Sequence, residues 1–196
     1  VLAATDITGL PLRIFSADDM SAGDCFYISA MYGEKAEVSE RENLILNFDE
    51  QSGLDRVSLY WNDVHKISFD ATTAYEGESG SLKVEIINPQ DNYILLNIPN
   101  IKDVSAYDYI AFRVYNSADT AFKMGTTWAA DTEIVPGQWT EVKIPVSLFA
   151  DGSITDMNGT VLAATDITGL PLRIFSADAM SAGDCFYISA MYGFIS

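Results

Sequence analysis

The feature that most constrains the fold is a series of short runs in which apolar and polar residues alternate. In LKVEI, at 82–86, the leucine, valine and isoleucine fall on one side of an extended chain and the two charged residues on the other. YIAFRVY, at 109–115, and WTEVKIP, at 139–145, alternate in the same way. Side chains of a strand point to opposite faces in turn. Each run is therefore predicted to be a strand with one buried face.

Residues that favour turns separate these runs, and no longer stretch keeps a helical period with capping residues. The clearest turn sequences are GESGS at 77–81, NPQDN at 88–92, VPGQ at 135–138 and DGS at 151–153. About eight to ten strands fit between Asn43 and Gly193. We predict an all-β domain, an antiparallel β-sandwich of the jelly-roll type rather than a seven-stranded immunoglobulin sandwich.

One segment occurs twice in the chain. Residues 1–33 and 161–193 are identical except that Asp19 in the first copy corresponds to Ala179 in the second. The two copies begin 160 residues apart, which is the length of a domain, whereas the units of a solenoid span roughly 20 to 50 residues. We therefore expect one unit of a tandem array. In that organisation residues 1–33 are the C-terminal remnant of a preceding repeat, 34–42 are a linker, and 43–196 are a complete β-sandwich module.

The two copies compete for the same place in such a sandwich. Both carry the same large apolar side chains, and burying each one contributes roughly 1.5 to 3 kcal/mol. We predict that residues 1–33 are held by β-pairing, either by strand exchange with a second copy of the chain or in the chain's own sandwich with the second copy displaced. Cys25 and Cys185 occupy equivalent positions, so each is expected to be a small buried strand residue or to bond to the other copy.

The charge of the chain excludes some partners. There are 28 acidic and 11 basic residues, which gives a formal net charge of -17. Such a surface repels nucleic acids and anionic lipids. No apolar run reaches the ~20 residues that span a bilayer, and no signal peptide is present. We expect a mature part of a secreted or cell-surface (extracellular) protein without membrane insertion.

Several segments also follow one another in a recognisable order. They are LILNFDE at 44–50, AYEGESGSLKVEI at 74–86, YIAFRVYNS at 109–117, PGQWTEVKIPVSLF at 136–149 and CFYISAMY at 185–192. Together they resemble the β-jelly-roll carbohydrate-binding modules appended to bacterial polysaccharide-degrading enzymes and cell-surface glycan-binding proteins. The resemblance covers most of residues 43–193 and implies a jelly-roll fold and a polysaccharide partner.

The resemblance also implies a structural calcium ion. Many of these modules hold it with the acid after the opening strand, carbonyls near the Gly-Ser turn and an Asp in the closing strand. Asp49 and Glu50 match the first element, but Ser189 stands where the closing Asp would be. Because calcium requires several oxygen ligands, a calcium site at Asp49 and Glu50 and a chain without any cofactor are both left open. The acidic loop at 151–160 lacks the spacing of an EF-hand and is interpreted as a solvated turn.

The inventory of reactive residues argues against an enzyme. His65 is the only histidine, and no nucleophile motif lies near it, so neither a catalytic triad nor a His-rich metal site is expected. Glycoside hydrolysis needs only two carboxylates, but roughly 150 residues of sandwich are few for a glycosidase.

Sugar binding needs aromatic faces for stacking and planar polar groups for the hydroxyls. The predicted ligand-binding residues are Trp128, Trp61, Tyr60, Tyr109, Arg113 and Tyr115. Trp139, which follows a Pro-Gly turn, is interpreted as structural. Each of these aromatics can equally be a core or edge residue, and Tyr109 and Tyr115 can pair across strands on a solvated face.

We therefore expect a non-catalytic module that binds a neutral polysaccharide through surface aromatics, as one unit of a tandem array in which linked weak sites gain avidity. The alternative is a structural β-sandwich repeat of a bacterial surface adhesin or stalk without its own glycan site. Burial of Trp61 and Trp128 would favour the alternative, and a solvent-facing pair in a groove would favour binding.

Overall fold

The structure is a computed structural model that describes residues 43–48, 51–59, 63–90, 92–101, 103–126, 129–175, 177 and 179–195. The chain divides into two units, Val1–Glu37 and Val38–Ser196, and all described residues belong to the second. The predictions for residues 1–33 and for the linker at 34–42 lie outside the described residues.

The described residues form twelve strands and two short helices. In chain order these are β1 (Leu44–Leu46), α1 (Gln51–Leu54), β2 (Ser58–Leu59), β3 (His65–Asp70), β4 (Ser81–Ile86), β5 (Asn92–Ile101), β6 (Tyr109–Asn116), β7 (Phe122–Thr126), β8 (Ala129–Ile134), β9 (Trp139–Pro145), α2 (Ser147–Ala150), β10 (Ile167–Phe175), β11 (Cys185–Ile188) and β12 (Met191–Phe194). The strand number exceeds the predicted eight to ten, because β2 has only two residues and the closing strand is split into β11 and β12 at Ser189.

The strands pair into two antiparallel sheets. In the five-stranded sheet the order is β2, β5, β10, β7, β8. In the seven-stranded sheet β11 and β12 lie end to end along one side of β6, and β9 lies on the other side. Beyond β11 come β4 and β3, and beyond β12 comes β1. The prediction of an all-β antiparallel sandwich of the jelly-roll type is confirmed.

The core lies between the two sheets and follows the predicted alternation. On β6, Ile110, Phe112 and Val114 are almost completely buried, and the apolar residues predicted to face inward on β4 and β9 are buried as well. The ring of Phe122, in the five-stranded sheet, lies 4.9 Å from that of Phe186, in the seven-stranded sheet. This contact joins the inner faces of the two sheets.

The second copy of the repeated segment provides interior strands of both sheets. Strand β10 lies between β5 and β7, while β11 and β12 lie between β6 on one side and β4 and β1 on the other. Residues 161–193 therefore complete the sandwich described here. Within the described part of the chain, no helix is long and apolar enough to cross a membrane.

Candidate functional site

The structure describes three of the six predicted ligand-binding residues. Tyr109, Arg113 and Tyr115 lie on β6, half-buried, on the side of the strand opposite the core. Tyr60, Trp61 and Trp128, and likewise Asp49 and Glu50, lie outside the described residues.

The described neighbours of those tryptophans belong to the other sheet. Thr126 of β7 pairs with Ala129 of β8, so Trp128 belongs to the short connection between these strands in sequence. Tyr60 and Trp61 follow directly after β2.

An aromatic row, made of Tyr75, Trp139, Tyr115 and Tyr187, lies on the outer face of the seven-stranded sheet. Tyr115 is directly opposite Tyr187 on one side and Trp139 on the other. Neighbouring ring centroids are 6.2 Å apart for Tyr115 and Tyr187, 5.6 Å for Tyr115 and Trp139, and 5.7 Å for Tyr75 and Trp139. Sequence reasoning found only Tyr115 as a ligand candidate, because the other three become its neighbours only when the strands pair.

Charged side chains contact two aromatic rings on this outer face, those of Tyr75 and Tyr109. The Arg113 guanidinium lies 4.1 Å from the centroid of the Tyr75 ring and 3.3 Å from Glu141. Glu141 also contacts Lys143, at 3.0 Å, and this hydrogen bond raises the pKa of Lys143. The Lys143 ammonium lies 4.7 Å from the centroid of the Tyr109 ring.

These contacts occupy the ring faces that a sugar would need. Tyr75 has Arg113 against its ring and Trp139 beside it, and Tyr109 stacks on Phe194 at 5.2 Å. Such aromatic pairs stabilise a sheet by about 0.5 to 1.5 kcal/mol each. The geometry thus gives Tyr109, Arg113 and Tyr115 a packing role, and their binding of a ligand stays a prediction.

The outer face of the five-stranded sheet is built from smaller residues. On β10, Leu170, Leu172 and Ile174 are in the core, so Gly169, Pro171, Arg173 and Phe175 are on the outer side. Pro171 is opposite Asn97 of β5, and Arg173 is opposite Gly125 of β7. Although they lie on the outer side, Gly169, Pro171 and Arg173 are buried, so the middle of this face is not open to solvent.

A polar notch of about 130 Å³ lies on this face. Its lining residues are Asn97, Asp156, Met157, Asn158, Thr168 and Gly169. A Cβ atom on Gly169 would be 2.9 Å from both Nδ2 and Oδ1 of Asn97, so only glycine lets the amide lie across β10. Within the described part, Oδ1 of Asn97 is buried and has no hydrogen-bond donor.

The polar notch offers groups that can form hydrogen bonds. A buried acceptor without a donor costs about 1 to 3 kcal/mol, and Oδ1 of Asn97 is such an atom among the described residues. The carboxylate of Asp156 accepts hydrogen bonds from the N–H groups of Thr160 and Asn158, at 2.8 Å each, and these hold its pKa below the ordinary value. Asp156 thus stays ionised and can accept a further hydrogen bond.

Arg173 and Phe175 lie further along the same face. Arg173 is 8% exposed, and its guanidinium lies 4.9 Å from the centroid of the Phe175 ring. Burial lowers the pKa of Arg173, but an arginine stays charged in proteins. The Arg173 guanidinium therefore lies against the Phe175 ring, as that of Arg113 lies against the Tyr75 ring, and the same packing role follows.

At the position of the closing Asp in the calcium site, the Ser189 hydroxyl forms hydrogen bonds within the protein. Ser189 is buried where β11 gives way to β12, and its hydroxyl accepts from the Arg113 N–H at 2.8 Å and donates to the Ala190 carbonyl at 3.0 Å. The described residues contain no group of three or more His, Cys, Asp and Glu residues that could hold a metal. Calcium at Asp49 and Glu50 stays a prediction.

His65 and Cys185 do not form a reactive site. His65 is fully buried in β3, and burial lowers its pKa to about 4, so it is neutral near pH 7. Cys185 is half-buried on β11, and burial raises the pKa of its thiol, which keeps it protonated and unreactive. Cys25 lies outside the described residues, so a bond between the copies stays a prediction.

Comparison with known proteins finds similarity to solved structures alone. No protein-family model and no curated protein match the chain. The CBM22-1 xylan-binding domain of Paenibacillus barcinonensis Xyn10C is 11% identical, with a TM-score of 0.47 over 79% of this chain and 96% of that one. The family 11 carbohydrate-binding module of the Clostridium thermocellum cellulase Lic26A-Cel5E is 16% identical, with a TM-score of 0.38 over 67% and 83%.

A third similar structure is Caldicellulosiruptor saccharolyticus CBM27-1 in complex with mannohexaose. It is 11% identical, with a TM-score of 0.44 over 70% of this chain and 90% of that one. These three structures are carbohydrate-binding modules. At identities this low, the function of the present chain is argued from its own residues.

Proposed function

We propose that this chain is a non-catalytic carbohydrate-binding module that holds a neutral polysaccharide on the outer face of its five-stranded sheet. The observation that carries the proposal is the polar notch, whose lining includes Asn97, a residue whose Oδ1 is buried without a hydrogen-bond partner among the described residues. A sugar hydroxyl is a donor of suitable size for this cavity. The net charge of -17 repels an anionic polymer, so the polysaccharide is neutral.

The aromatic platforms on this face are assigned to Trp128 and to Tyr60 and Trp61. The order of strands puts β2 at one edge of the sheet and β8 at the other. Since Tyr60 and Trp61 follow β2, and Trp128 precedes β8, these aromatics flank the face from opposite edges in this proposal. A sugar chain that crosses the sheet would stack on them while the polar residues that line the notch bond its hydroxyls.

Binding without cleavage is favoured by the carboxyl groups. A glycosidase requires a carboxylic acid whose pKa is raised, so that it can donate a proton to the leaving group. Hydrogen bonds from neighbouring residues instead lower the pKa values of Asp103, Asp151 and Asp156. The module would act outside the cell as one of several linked repeats, where weak sites gain avidity.

The test is retention of the full chain by insoluble neutral polysaccharides (xylan, cellulose and mannan) in a pull-down. Trp128→Ala and Trp61→Ala are expected to abolish retention, while Tyr187→Ala, on the other sheet, is the matched control and keeps it. All three variants are checked by circular dichroism. Unchanged retention in both tryptophan variants would contradict the proposed platform.

The alternative function is a structural repeat of a surface adhesin or stalk. The aromatic row favours it, because those rings pack against one another across three strands and a loop. It predicts that none of the polysaccharides in the panel retains the protein.

A further inference from the structure

The sandwich has one set of positions for the repeated segment, and the chain contains two copies of that segment. Residues 161–193 supply β10, β11 and most of β12, which are interior strands of both sheets. Their buried apolar side chains have identical counterparts in residues 1–33. We propose that residues 1–33 can replace residues 161–193 within the same chain, so that one sequence folds into two mutually exclusive versions of the sandwich.

The single difference between the copies does not oppose the exchange. Ala179 is exposed in the turn between β10 and β11. Asp19 in that position would face solvent, where a carboxylate costs nothing to place. Every buried position of the second copy would therefore keep its residue after replacement.

The connection that the first copy would need is short, because β1 lies next to β12 in the sheet. Strand β1 is antiparallel to β12, and Leu44 is directly opposite Tyr192. With Gly33 in the place of Gly193, residues 34–42 need only turn back to the adjacent strand. Hairpin loops typically need two to five residues, so this segment closes the hairpin without strain.

The alternative sandwich would be a circular permutation made of residues 1–160. In that form Val1 takes the place of Val161 but is not bonded to Thr160, and both of these positions are exposed in the present sandwich. Chain termini are tolerated at exposed surface positions. Because the replacement is tethered to the same chain, it competes more effectively than a segment of a second molecule.

One contact favours the C-terminal copy. Phe194 stacks on Tyr109, with ring centroids 5.2 Å apart, whereas the first copy is followed by Glu34. Loss of one aromatic pair biases the equilibrium by roughly tenfold at most. Gly9, Arg13 and Phe15 would replace Gly169, Arg173 and Phe175, so the outer face of the five-stranded sheet would be identical in both forms, and the inference does not depend on the proposed function.

Complementation in the full chain tests the inference. Phe186 is fully buried against Phe122, so an aspartate at position 186 prevents the second copy from entering the core. Phe26 is the equivalent residue of the first copy. We expect Phe186→Asp and Phe26→Asp each to keep the native circular dichroism spectrum and cooperative unfolding, and the double variant to be unfolded. If Phe186→Asp is as unfolded as the double variant, the inference is overturned.

Size-exclusion chromatography of Phe186→Asp separates replacement within a chain from exchange between chains. Replacement within the chain gives a monomer whose melting temperature does not depend on protein concentration. A dimer that dissociates and unfolds on dilution would overturn the intramolecular form of the inference.

Discussion

The two outer faces of the sandwich differ in how their polar and aromatic groups are used. On the seven-stranded sheet the aromatic row packs across three strands and a loop, and Arg113 lies against the ring of Tyr75. On the five-stranded sheet, the glycine at position 169 leaves space for the Asn97 amide, whose Oδ1 is buried without a donor among the described residues. Half-exposed rings can therefore be explained by packing alone, and the unpartnered amide oxygen distinguishes the second face.

The largest expected effect concerns the seven-stranded face. Trp139→Ala removes contacts with both Tyr75 and Tyr115 and should lower the free energy of unfolding by about 3 kcal/mol, while polysaccharide binding is unchanged. Urea denaturation measures the loss, and Trp139→Phe, which keeps a ring, should lose much less. If Trp139→Ala keeps its stability but loses polysaccharide binding, the binding site is at the aromatic row instead.

Acid is expected to lower the free energy of unfolding through His65, which is buried in the core between the two faces. His65 has a folded pKa of about 4, below its unfolded value of 6.5, so the unfolded state binds more protons between these values. The stabilisation is present above pH 6.5 and is lost as the pH falls towards 4, by about 3 kcal/mol at most. Denaturant titrations at several pH values measure this slope, which His65→Leu should reduce. An equal slope in the variant would mean that His65 is not responsible.

On the five-stranded face, Trp128→Ala should weaken binding by about 2 kcal/mol, roughly thirtyfold in Kd, because stacked aromatics dominate such sites. Isothermal titration calorimetry with a soluble oligosaccharide of the retained polysaccharide measures the change. The free energy of unfolding should stay the same. A fall in stability with no change in Kd would assign Trp128 to packing and remove the contrast between the faces.

The smallest expected effect is at the polar notch. Asn97→Ala removes the acceptor that a sugar hydroxyl would use and should raise Kd by about five- to tenfold, which corresponds to about 1 kcal/mol. The free energy of unfolding should not fall, since the amide oxygen has no donor among the described residues when no sugar is bound. Asn88→Ala, at an exposed loop position, is the matched control. Equal Kd values in the two variants would show that the notch does not contact the ligand.

Part of this site was predictable from sequence. The alternation in YIAFRVY correctly puts Arg113 and Tyr115 on the outer side of β6, because that property depends on neighbouring residues alone. The partners of Tyr115 were missed, since Tyr187 and Trp139 approach it only through strand pairing. Asn97 was also missed, although an asparagine inside the apolar run YILLNIPNI is a signal that could have found it.

By itself, the sequence determined the all-β class, the faces of the individual strands and the existence of two nearly identical terminal segments, because alternation, turn residues and identity are local properties. Only the tertiary structure decided that the second copy fills the interior of both sheets in this form and that Tyr187 and Trp139 lie on either side of Tyr115. The physical reason is that strand register is set by contacts between residues far apart in the chain, so no local pattern specifies which side chains meet.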